Sequence, residues 1–121
     1  MTTATKNHDF CVATSTGSLL FVSVTKGDDY ANLVLADRTG DMVDTELTLA
    51  AARNLYRMAK ADGQLLSTEA GQSVIDGEAQ LVRLTQKGRS FTRAVKGSPF
   101  RYAQSCARRS GIKTGYDVLS A

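Results

Sequence analysis

Arg89, Phe91 and Arg93 alternate along Arg89-Ser90-Phe91-Thr92-Arg93, and that spacing is the strongest chemical statement the chain makes. Alternate residues of an extended segment share a face. A ring flanked by two guanidinium groups then offers a stacking surface to an unpaired base and partners to the adjoining phosphates. The same spacing also accommodates the opposite arrangement, with Phe91 and Val95 in the core and the arginines at the strand ends.

The charge distribution around this triplet is uneven. Residues 81–121 carry Arg83, Lys87, Arg89, Arg93, Lys96, Arg101, Arg108, Arg109 and Lys113 against one acid, Asp117, a balance of +8. Residues 1–80 hold six bases and eleven acids, a balance of −5, so the formal net charge of +3 conceals a strongly basic C-terminal third. Phe91, Phe100, Tyr102 and Tyr116 are interleaved with those cations. Cations neutralise phosphate and rings stack on bases, so the composition predicts a partner that is single-stranded nucleic acid.

Other chemistries find no foothold. His8 is the only histidine and lies in a polar N-terminal stretch, which does not position a catalytic base. Cys11 and Cys106 form neither a Cys-x-x-Cys pair nor, with one histidine, a metal shell, and they read as two reduced, partly buried thiols. The acids of 37–46 resemble a calcium loop only in composition, since Gly40 comes too early and the glutamate is out of register. No glycine-rich phosphate loop is present. The expectation is a binding protein and not an enzyme, with no cofactor and no metal.

Length, at 121 residues, predicts one domain spanning 1–121, and 42% hydrophobic with 22% charged residues is ordinary for a globular chain. The start, Met1 to Asp9, lacks the apolar core of a secretory signal, and the run Leu19 to Val22 is far too short to span a bilayer. A cytoplasmic protein with no membrane partner is expected.

The elements that must position the cations follow from turns and periods. Phe10 to Thr14, Ser18 to Thr25, Tyr30 to Ala36 and Met42 to Leu47 read as four antiparallel strands separated by Ser15-Thr16-Gly17, Lys26-Gly27-Asp28-Asp29 and 37–41. Met42 and Val43 beside Asp44 and Glu46 mark the fourth as an edge or a half-exposed strand. Thr48 caps a helix in which Ala52, Leu55, Tyr56 and Ala59 form the apolar stripe, ending at Gly63. Arg53, Arg57 and Lys60 run beside it as a basic stripe, either a solvated face or a phosphate track. Gln64 to Gly71 reads as a flexible loop, and Asp76-Gly77 as a hairpin turn between Gln72 to Ile75 and Glu78 to Thr85. Gln86-Lys87-Gly88-Arg89 turns the chain into Ser90 to Val95. Ser98-Pro99 opens a second helix that closes at Gly111. On that helix Arg101 and Arg108 share a face, while Phe100, Ala103 and Ala107 form the side expected to be core. The segment 111–121 has no clear period and is expected to be flexible, swapped, or docked on a second copy or on bound DNA.

The resulting class is α+β, antiparallel sheets with two helices in the order ββββα-βββα. That order resembles the Whirly and Pur families, in which a helix follows a curved antiparallel sheet and the ligand is single-stranded DNA. In size, basic C-terminus and absence of motifs the chain is also similar to the small single-stranded DNA-binding transcription cofactors of tailed phages. The resemblance implies a viral, oligomeric protein in the host cytoplasm, serving transcription or replication beside an RNA polymerase or a replication protein. From the residues themselves, sequence-tolerant binding of single-stranded DNA is expected at Lys87, Arg89, Phe91, Arg93, Arg101, Tyr102, Arg108, Arg109 and Lys113, with Tyr116 as a further ring. The rival expectation is a self-assembling structural or adaptor protein. In it the acidic stretch Asp28 to Glu46, six acids and one arginine, receives the basic third of another copy.

Overall fold

Among residues 9–24, 27, 29–37 and 42–119, which the computed structural model describes, the chain forms β1 (Phe10–Ala13), β2 (Leu19–Ser23), β3 (Tyr30–Ala36), β4 (Met42–Thr48), α1 (Leu49–Ala61), β5 (Leu65–Leu66), α2 (Thr68–Ile75), β6 (Gln80–Gln86), β7 (Arg89–Val95), α3 (Pro99–Ser110) and β8 (Thr114–Val118). The α+β class and the two antiparallel sheets agree with expectation. His8 and most of the turn at 37–41 lie outside the described residues.

Five strands in the order β4-β3-β2-β1-β5 make the first sheet, and β7-β6-β8 make the second, all pairs antiparallel. Alternation divides the first sheet into two apolar faces. Phe10, Val12, Val22 and Ala31 pack under α1 against Ala52 and Ala59. Cys11, Ala13, Leu19 and Leu66 face the other way, onto Val74 of α2 and Leu81 of β6. The outer face of the second sheet, through Val82, Leu84 and Val95, is covered by Ala103 of α3. The layers therefore run from α1 through the first sheet to a shared middle containing α2, then through the second sheet to α3.

Three expectations are corrected. The segment from Gln64 to Gly71 is not a flexible loop: it supplies β5 and the first turns of α2. Gln72 to Ile75 is helical, and Asp76-Gly77 is the end of α2 and not a hairpin turn. Ser67 caps that helix by accepting from the Ala70 N–H, and Gly77 takes the positive φ of 78° that a helix C-terminus commonly requires. Residues 112–119 are also ordered within their own molecule. Residues 114–118 pair with β6, the Leu119 N–H donates to the Leu81 carbonyl at 2.7 Å, and Leu119 packs on the shared middle. Ser120 and Ala121 lie outside the described residues.

The caps read from sequence are present at the other helices. Thr48 accepts from the Ala51 N–H at 3.2 Å, and Ser98 from the Arg101 N–H at 3.3 Å. Gly111 closes α3 in the left-handed conformation, its N–H donating to the Ala107 carbonyl at 2.8 Å. Among the described residues no helix is long and apolar enough to cross a membrane.

Candidate functional site

The turn between β6 and β7 is Lys87-Gly88, and Gln86 pairs directly with Arg89 across it. Both turn residues have positive φ, 49° and 77°, as a two-residue hairpin of type I′ demands. Glycine adopts that conformation freely, whereas lysine does so at a cost. Lys87 is the only residue other than glycine, among those described, with positive φ. A cation thus sits at the hairpin tip in a conformation that its side chain disfavours.

From the tip β7 runs back with Arg89, Phe91, Arg93 and Val95 on its outer face. Val95 is buried, Phe91 is half-buried against Val82, Leu84 and Ala103, and Arg89 and Arg93 are exposed. Both readings of the triplet therefore hold in part. The ring is anchored in the core at one edge, and the Arg93 guanidinium lies over it, 4.9 Å from the ring centroid. Arg93 Nη1 also donates to the Thr92 carbonyl at 2.9 Å, which restrains the guanidinium. A guanidinium held over a ring can offer a face to a base, and its remaining N–H groups to phosphate.

The outer edge of β7 is closed by the end of α1. The Thr92 N–H donates to the Gly63 carbonyl at 2.7 Å, and a methyl group on Gly63 would lie 2.6 Å from the Ser90 carbonyl oxygen. That approach needs glycine twice over, for its φ of 71° and for its missing side chain. Its consequence is that Lys60, in the last turn of α1, stands beside the arginines of β7. Lys60, Gly63, Lys87, Arg89, Phe91 and Arg93 together line an open cleft of about 800 Å³, with Asp62 as its one acid. Neither ion pair found among the described residues, Arg83 with Asp117 or Lys96 with Glu78, engages any of the four cations.

Four of the expected site residues, Lys87, Arg89, Phe91 and Arg93, are thus brought together. The others are not in the cleft. Arg101, Arg108, Arg109 and Lys113 are exposed on and just beyond α3, and Tyr102 is half-buried against the core beneath that helix. The Gln86 side chain donates to the Ser110 and Thr114 hydroxyls at 3.0 and 2.9 Å, tying the end of α3 to the hairpin base. Arg108 and Arg109 are therefore carried to the same end of the molecule as Lys87.

Phe100 departs from its expected core position. It is 53% exposed and rests edge-on against Tyr116, with centroids 6.5 Å apart, because the first turn of α3 overhangs β8. Cys106 takes the buried place beside Ala103. Lys60 is the cleft residue that charge counting over the C-terminal third left out. The signal for it was the spacing of Arg53, Arg57 and Lys60 along α1.

Cys11 and Cys106 are free and buried. Burial pushes the Cys11 thiol from 9.0 up to about 12, so it stays protonated and inert. No protein-family model, curated protein or solved structure matches the chain.

Proposed function

We propose that the protein binds single-stranded DNA in a sequence-tolerant manner through the cleft between the end of α1 and the β6–β7 hairpin, acting as a binder and not as a catalyst. The observation that carries this reading is the convergence of Lys60, Lys87, Arg89 and Arg93 around the Arg93–Phe91 contact, with no ion-pair partner for the four cations among the described residues. The interior offers a contrast: among the described residues no buried side-chain nitrogen or oxygen lacks a hydrogen-bond partner. Polar capacity left unused among the described residues therefore lies at the surface, where the cleft cations stand.

Phosphates would run past Lys87, Arg89 and Lys60, and a base would lie on the guanidinium of Arg93 above Phe91. Arg108, Arg109 and Lys113 would extend the electrostatic field at the same end. Because every base has a π-face, such a site tolerates sequence, with each stacked base worth about 1–3 kcal/mol. A ring set within a concave cleft suits a flexible strand whose bases are unpaired; duplex recognition instead places a helix or ribbon in a groove. A role in phage transcription or replication, next to a polymerase or replication protein, is the biological setting proposed from the resemblance stated above.

Fluorescence anisotropy with single-stranded DNA, duplex DNA and RNA of equal length tests the reading. Single-stranded DNA is expected to bind more tightly than duplex, with a log–log salt slope near −0.7 for each phosphate contacted. Equal affinity for both DNA forms, or a response flat in salt, overturns it.

A further inference from the structure

The two sheets meet through β5 and β7, leaving β4 and β8 as the outermost strands of the described molecule. An open strand edge is a template for another strand unless something blocks it. The two edges differ in this respect. Strands related by a two-fold axis normal to the sheet oppose residues of one face only. Any central register of β4 on itself therefore sets Asp44 or Glu46 against Asp44 or Glu46, and opposed like charges destabilise a pair. The edge of β8 carries no such block.

On β8 the Leu119 N–H points inward to Leu81, so alternation directs the N–H and C=O of Thr114, Tyr116 and Val118 outward. A second copy in antiparallel register, with Tyr116 opposite Tyr116 and Thr114 opposite Val118, pairs every one of those groups. Sliding the register by two residues in either direction leaves some unpaired. In this register Asp117 faces Gly115 on the other side of the sheet and keeps its ion pair with Arg83 at 3.4 Å, while Lys113 faces Leu119. No like charges are opposed.

Beside Thr114, whose hydroxyl is engaged by Gln86, the exposed side chains on the α3 side of the edge are apolar. Tyr116 is 41% exposed, Val118 42% and Phe100 53%, the last already in edge contact with Tyr116. A two-fold seam at Tyr116 brings Phe100 and Tyr116 of both copies into one aromatic cluster. We infer that the protein forms a symmetric homodimer through β8, fusing the two three-stranded sheets into one six-stranded sheet of order β7-β6-β8-β8-β6-β7. The contact is isologous, so it closes at two copies and does not propagate. It is independent of what the cleft binds.

Sedimentation velocity on the full chain, from low to high micromolar concentration, is the primary test. A reversible monomer–dimer equilibrium is expected for the unaltered chain, and Tyr116→Lys, which sets two ammonium groups against each other at the axis, is expected to be monomeric throughout. Tyr116→Cys gives an independent measure that does not rest on the lysine variant folding. Paired residues at such a site have Cα atoms about 5.5 Å apart, within disulfide range. Mild oxidation is expected to convert this variant to a covalent dimer while Val43→Cys on β4 remains largely uncrosslinked. Cys11 and Cys106 are buried and do not compete. The inference is overturned by a monomer at every concentration, by a dimer that survives Tyr116→Lys, or by mixed disulfides between Val43→Cys and Tyr116→Cys chains outrunning the Tyr116→Cys homodimer. The last result would assign a head-to-tail assembly of acidic and basic halves instead.

Discussion

The five-stranded sheet ends in an acidic strand with Asp44 and Glu46 on it, whereas the three-stranded sheet turns outward a hairpin carrying Lys87, Arg89 and Arg93. In other respects the two are built alike. Each is antiparallel, each has a helix over its outer face, and each contributes to the shared middle that includes α2. The difference separates the region that holds the fold together from the region where binding is proposed. The shared middle holds the sheets together, and the charges stand outside it on exposed surfaces. Changes in the middle should therefore move stability and leave the ligand response alone, while changes at the hairpin should do the reverse.

The largest effect is expected from Leu19→Ala. Leu19 is wholly buried where the first sheet meets α2 and β6. Truncation leaves a cavity and should cost about 2–5 kcal/mol of folding stability, read by denaturant unfolding. At temperatures where the variant is folded, its DNA affinity and salt slope should match the parent. An altered slope would mean that the two sheets are not separable in function.

The same interior predicts a pH response that the cationic surface does not share. Cys11 holds its proton up to about pH 12 in the folded chain, against 9.0 for an ordinary thiol. Below 9.0 both states keep the proton and the contribution of the buried thiol is complete. Above it the unfolded chain ionises first, so stability falls by at most about 1.4 kcal/mol per pH unit until the folded thiol also titrates. Thermal melts of the parent and Cys11→Ala across the alkaline range should show the gap between them narrowing as pH rises. A constant gap would show that the thiol is not set by burial.

Much of this division was legible in the residues, and what was not has identifiable causes. β3 was placed to the residue, as were the caps Thr48 and Ser98 and the edge character of β4. Each rests on local chemistry, and the pattern spoke for one structure. α2 was hidden by Gly71, which breaks its helical pattern. That glycine is required because a Cβ there would sit 2.5 Å from the Cys11 sulfur, a contact between elements distant in sequence. Asp76-Gly77 serves a helix end and a tight hairpin equally well, and only the packing of Val74 into the shared middle decides between them. β8 was missed because its alternation of Thr114, Tyr116 and Val118 is interrupted by Gly115 and Asp117 and acquires meaning only beside β6. Within the site, the four residues of the hairpin and β7 were readable from spacing. Lys60 joins them through the Gly63–Thr92 contact, which no local pattern announces.

Replacing Arg89 and Arg93 together by alanine sharpens the comparison from the hairpin side. Two lost phosphate contacts should make the salt slope shallower by about 1.4 and weaken binding to single-stranded DNA roughly tenfold or more at low salt. Folding stability should change by no more than about 1 kcal/mol, since the two side chains are exposed and outside both ion pairs. Anisotropy titrations and melting curves on the same preparation check both halves. An unfolded double variant would assign these arginines to the fold.

The smallest expected effect is also the most pointed, because one residue should move the two properties in opposite directions. Lys87 occupies the first position of a type I′ turn with φ of 49°, a place that asparagine fills at lower cost, and Gly88 already provides the second. Lys87→Asn should therefore stabilise the fold, by about 0.5 kcal/mol, through relief of backbone strain. It also removes one cation from the cleft, so the salt slope should fall by about 0.7 and affinity for single-stranded DNA should drop with it. A lysine kept in a strained turn solely for structure would give the stabilisation with no change in binding. A lysine that touches phosphate gives both, and paired melting and anisotropy measurements on this one variant separate the two cases.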